Sequence, residues 1–100
     1  MQYLICYDIE NDRLRQKISD RLVADGLERV QYSVFMGRIK EPLLKALQAW
    51  VKETLKNGKG ENDSVIFLRI QVADIRKMVI FGKDSIDRIE LLGERNTLII

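Results

Sequence analysis

Tyr3-Leu4-Ile5-Cys6-Tyr7 is a continuous apolar and aromatic run that stops abruptly at Asp8. A short run of this kind bounded by polar residues predicts a buried strand from Tyr3 to Asp8. The period then lengthens. Leu14, Ile18, Leu22 and Val23 recur at helical spacing, Asn11 or Asp12 stands where an N-cap belongs, and Gly26 lies just past the end. From Arg29 to Gly37 the alternation has period two, with Val30, Tyr32, Val34 and Met36 on one face and Gln31, Ser33 and Phe35 on the other. This predicts one long second strand. Pro42 opens a second helix, along which Leu43, Leu44, Leu47, Trp50, Val51 and Leu55 recur at intervals of three and four. That helix is expected to end before a polar loop, Asn57-Gly58-Lys59-Gly60.

A third strand is expected over Ser64 to Val72, with Ile66, Leu68, Ile70 and Val72 facing the core and Phe67, Arg69 and Gln71 alternating with them. A fourth is expected at Met78 to Phe81. The charged stretch that follows suits a helical turn around Ile86 to Leu92, and Thr97-Leu98-Ile99-Ile100 reads as a β-prone tail that pairs with a sheet edge, its own or that of a second subunit. The whole is a small α/β chain without repeats.

Length bounds this picture: 100 residues with 46% hydrophobic content suffice for one domain, 1–100, with a modest core. Seventeen basic and fifteen acidic residues are spread along the chain, so neither the net charge of +2 nor any basic arm announces a nucleic-acid partner. Cys6, the single cysteine, sits in the first apolar run as a small buried hydrophobe and has no internal disulfide partner. No segment has the apolar length of a membrane span, and no signal-peptide pattern opens the chain, so a cytoplasmic protein without a membrane partner is expected. Histidine is absent. This excludes Ser-His-Asp and Cys-His catalysis and histidine zinc sites, leaving hydrolysis to carboxylates with a metal, or to lysine or tyrosine. Gly58-Lys59-Gly60 lacks the spacing of a phosphate-binding P-loop, and there is no dinucleotide fingerprint.

Asp8 ends a strand before a helix, where ligands of α/β folds commonly bind, but an aspartate there also shapes turns by accepting backbone N–H bonds. As a magnesium ligand it would be one carboxylate, and magnesium commonly takes one or two together with water and phosphate. Two copies meeting across a dimer axis would supply both. Arg13, Arg15, Lys17 and Arg21 are equally a phosphate-binding face or the wet side of an amphipathic helix, since Asp12, Asp20 and Asp25 offset them. Tyr7 and Phe35 default to the core, with base stacking as the alternative.

Tyr7-Asp8-Ile9 followed by Asp12, Arg13 and Arg15, then Gly26-Leu27, then Arg29-Val30-Gln31-Tyr32-Ser33-Val34-Phe35, with Phe81-Gly82 further on, resembles the signatures of the CRISPR-associated Cas2 family. The resemblance implies a ferredoxin-like α+β sandwich with a small, mainly antiparallel sheet, two helices on one face, and the C-terminal strand at the interface of a homodimer. It also implies an adaptation protein of antiviral defence, either a magnesium-dependent endonuclease on RNA or DNA or a non-catalytic, DNA-bridging partner of the CRISPR integrase. Carried onto this sequence, the family's functional set is Tyr7, Asp8, Arg15, Arg29 and Phe35, with Asp8 the metal ligand shared between two subunits. Arg13, Arg15, Lys17 and Arg29 are the expected nucleic-acid contacts, and Met36 stands where a glutamate is frequent.

Overall fold

A computed structural model describes residues 1–82. Its elements run β1 (Gln2–Asp8), α1 (Asp12–Ala24), β2 (Glu28–Gln31), β3 (Val34–Arg38), α2 (Glu41–Gly58), β4 (Ser64–Ile70) and α3 (Val72–Arg76). The strands form one antiparallel sheet in the order β2-β3-β1-β4, with β1 paired to β3 on one side and β4 on the other. This is the ferredoxin-like arrangement, in which two β-α-β halves interleave and the first and third strands lie at the centre.

One face of the sheet carries the main core. Ile5, Tyr7 and Phe35 from the central strands meet Ile18 and Leu22 of α1 and Leu44, Leu47 and Val51 of α2, all buried. Helix α1 starts where Asn11 accepts a hydrogen bond from the Leu14 N–H (2.9 Å), and it ends at Gly26, whose φ of 90° is a left-handed conformation natural to glycine. From this turn the Leu27 N–H reaches back to the Leu22 carbonyl (3.0 Å), closing the helix C-terminus. Helix α2 carries Pro at its first turn and closes on Lys59 in a left-handed conformation, so it runs to Gly58 rather than stopping before Asn57.

Four further sequence expectations are corrected. The segment Arg29 to Gly37 is two strands of a hairpin, not one: Gln31 pairs with Val34 across a Tyr32-Ser33 turn, and a register shift between Arg29 and Gln31 marks a bulge. The turn contains no Gly, Asn or Asp, so the alternation runs through it unannounced. In the last strand the phase is reversed. Val65 and Phe67 pack on the helix-side core, whereas Ile66 (57% exposed) and Leu68 (54%) lie on the other face. Both parities of this segment are apolar, which leaves alternation without a unique phase. Val72, expected to extend that strand, starts α3, a single capped turn in which Gln71 and Asp74 bond each other's backbone reciprocally. Met78 to Phe81 is irregular rather than a strand, with Phe81 93% exposed. The helical turn at Ile86 to Leu92 and the tail at 97–100 lie outside the described residues.

Among the described residues, the second face is only partly covered. Ile75 of α3 packs with Val30 and Met36, joined by Leu4, Val34, Ile70 and Met78, while Ile66, Leu68 and the half-buried Cys6 stay open. Met36 is a buried core residue.

Candidate nucleic-acid site

Strand parity decides where the chemistry of β1 points. Ile5 and Tyr7 face the helices, so Leu4, Cys6 and Asp8 face the open side of the sheet. Asp8 is exposed there, opposite Ser64 on β4, at the rim of a shallow cleft of about 140 Å³ lined with Cys6, Tyr7, Ser64 and Ile66. It forms no ion pair among the described residues, and no group of three or more His, Cys, Asp or Glu side chains that could hold a metal occurs among them. A single exposed, uncompensated oxygen donor of this kind suits half of a magnesium site, not a whole one. Two of the neighbouring acids are otherwise engaged: Asp12 bonds to Arg15, and Asp63 accepts the Glu10 N–H (3.1 Å).

Tyr7, Arg15, Arg29 and Phe35 assemble on the helix side, around a residue that the alternation had assigned to a strand face. Tyr32 sits in the β2–β3 turn, 67% exposed, and its carbonyl accepts the Tyr7 hydroxyl (3.4 Å). Arg15 and Arg29 lie over its ring, their guanidinium carbons 5.8 and 5.9 Å from the centroid. Arg15 is also pinned by the carbonyls of Ile9 (3.0 Å) and Glu10 (3.3 Å) and by Asp12, whose hydrogen bond raises the guanidinium pKa above its ordinary value. This makes Arg15 the clamp of the β1–α1 loop. Arg29 is different. It donates to Ser19 Oγ and stacks over Phe35 (5.2 Å), and it is exposed, with no carboxylate paired to it among the described residues. Its remaining donors suit a phosphate.

Phe35 has no exposed surface and Tyr7 almost none, so both act through what they support: Phe35 is the platform under Arg29, and Tyr7 fixes the Tyr32 turn. Asp8 lies on the opposite side of the sheet from this cluster. Arg13 and Lys17 stand apart again, on an outer groove between α1 and α2 that also includes Trp50 and Glu53. Sequence reasoning passed over Tyr32, for which the available signal was an aromatic residue directly between the Arg29 strand and Ser33, in a segment with no room for a second buried row.

Fold and site together define a small ferredoxin-like α+β domain with one exposed carboxylate at the end of its first strand and an arginine-lined aromatic turn on the other side of the sheet. The comparison with known families identifies it further: the family model for the CRISPR associated protein Cas2 matches residues 1–78, and the chain belongs to that family. It is 41% identical over 70 residues to the CRISPR-associated endoribonuclease Cas2 2 of Pyrobaculum aerophilum, covering 70% of this chain and 74% of that one. Over 61 residues it is 40% identical to a CRISPR-associated endonuclease Cas1/endonuclease Cas2 fusion of Thermoproteus tenax, covering 61% of this chain and 23% of the fusion. The crystal structure of Streptococcus pyogenes Cas2 shares the fold, with a TM-score of 0.70 at 20% identity over 82% of this chain and all of that one.

Proposed function

We propose that this chain acts as a homodimeric, magnesium-dependent endonuclease of CRISPR adaptation, cleaving phosphodiester bonds in RNA. The observation that carries this reading is the placement of Asp8: the uncompensated carboxylate lies on the same open sheet face as Ile66 and Leu68, the apolar surface that most needs a partner. Burying that face against a second copy brings two Asp8 carboxylates toward one axis. Together they would hold a magnesium ion, which supplies Lewis-acid polarisation of the phosphodiester and a more acidic water. Without a cation the pair repels. Arg29 holds phosphate through its free donors, and Arg15 keeps the loop after Asp8 in place. Support for RNA as substrate comes from the names of the relatives, which are endoribonucleases.

The test compares the wild-type protein with Asp8→Asn on RNA and on duplex DNA, in magnesium and in EDTA. Loss of RNA cleavage on either magnesium removal or substitution, by a hundredfold or more in order of magnitude, is expected. Equal cleavage by both proteins defeats the assignment. A second reading, a non-catalytic adaptor that binds duplex DNA and docks the Cas1 integrase, is favoured by the Thermoproteus tenax relative, in which the two proteins are one chain. Under that reading Asp8→Asn leaves spacer acquisition intact.

A further inference from the structure

At the far end of β1 from Asp8, a cavity of about 620 Å³ opens between the start of α2 and the end of β4. Its lining combines Arg38, Lys40 and Arg69 with an apolar floor that includes Ile39 and Leu43, and no carboxylate lines it among the described residues. Six residue steps of β1 separate its Gln2 wall from Asp8, about 20 Å at 3.3 Å per residue, so it is no part of the site described above.

Two of these cations, Lys40 and Arg69, are poorly compensated among the described residues. Lys40 is the N-cap of α2, an 18-residue helix, and makes no side-chain cap bond. A cation at that position faces the positive end of the helix dipole, the reverse of the stabilising arrangement. Glu41, the acid of the first turn, turns to Lys45 instead (3.6 Å), and Asp74 is occupied in capping α3, where it accepts the Gln71 N–H (2.7 Å). Lys40 and Arg69 form no ion pair among the described residues. Both are thus left without a carboxylate partner among the described residues, a charge that an anion would match.

We propose that this cavity is a second phosphate-binding site, taking the backbone of a nucleic acid at a distance from the cleavage centre. The proposal rests on the reading of the chain as a nucleic-acid-handling protein, and it commits to a role in affinity, not in bond cleavage. Arg69 supplies a planar donor fork, Lys40 a mobile point charge, and the apolar floor accepts a sugar face.

The experiment measures binding of a fluorescent twenty-nucleotide RNA in EDTA, where no cleavage intervenes, as a function of salt. Lys40→Gln and Arg69→Gln are each expected to weaken binding about tenfold at low salt and to reduce the slope of log affinity against log salt by about one. Lys52→Gln, the same charge change on an exposed α2 position outside the cavity, is the control for bulk charge and is expected to do much less. Lys40→Arg restores binding, and thermal melting confirms that each variant folds. Inorganic phosphate is expected to compete weakly. Affinities and slopes of the cavity variants equal to those of Lys52→Gln overturn the proposal, as does tight inorganic phosphate binding with no added affinity for the oligonucleotide. Because Asp8→Asn leaves this binding unaffected whether or not it abolishes cleavage, failure of the nuclease reading and failure of this site are told apart.

Discussion

Arg29 shows how a charged side chain is prepared for binding by apolar neighbours. Its guanidinium rests on the buried ring of Phe35, is steered by Ser19, and leaves the outer donors facing water. Arg29→Lys keeps the charge but loses the planar stack and the fork, so RNA affinity is expected to fall about tenfold while the melting temperature changes little. Fluorescence anisotropy beside a melting curve checks both halves. Phe35→Ala removes the platform and opens a cavity at the centre of the main core, which costs roughly 3–5 kcal/mol, a large share of the stability of a small protein. Its urea midpoint is expected to drop steeply, and undiminished stability would contradict the burial of that ring.

At the scale of elements, the βα junctions set the site. Helix α1 is held at its start by Asn11 and at its end by the left-handed Gly26, and between these points it presents Arg15 to the Tyr32 turn. Gly26→Ala places a Cβ in a backbone conformation that costs an L-residue about 1 kcal/mol, although nothing lies near the added atom. Because the penalty is conformational, the melting temperature is expected to fall by about 4–8 °C with nucleic-acid binding retained. The hairpin junction illustrates why elements are hard to delimit by pattern. Tyr32-Ser33 is a turn without Gly, Asn or Asp, and its aromatic member is held by a hydrogen bond from Tyr7, 25 positions earlier in the chain.

At the scale of the whole molecule, the described residues sandwich the sheet on one face and leave the other half bare. Helices α1 and α2 complete the first face, α3 covers one corner of the second, and Ile66 and Leu68 remain open beside Asp8. Leu68→Lys introduces a charge where dimerisation would bury an apolar side chain. Sedimentation is expected to show monomers for this variant and dimers for the wild type, with RNA cleavage lost in parallel because the Asp8 pair is broken. A wild-type monomer at high concentration would remove the shared-site reading while leaving the phosphate cavity standing.

The amino-acid sequence by itself determined the first strand and its acidic end, the first long helix with its Asn11 cap and terminal Gly26, the second helix from Pro42 onward though not its end, and the spaced residues that resemble Cas2, because each depends on local periodicity or on short-range chemistry. Tertiary structure decided the rest. Whether Ile66 or Phe67 faces the core is set by which side of the sheet the helices cover, since both parities of β4 are apolar. Whether Tyr7 and Phe35 touch a ligand is likewise a matter of what packs over them, and the helices bury both. The convergence of Arg15 and Arg29 on Tyr32, and of Arg38, Lys40 and Arg69 on one cavity, joins positions remote in the chain. Such meetings arise only when strands pair, and no period along the chain encodes them.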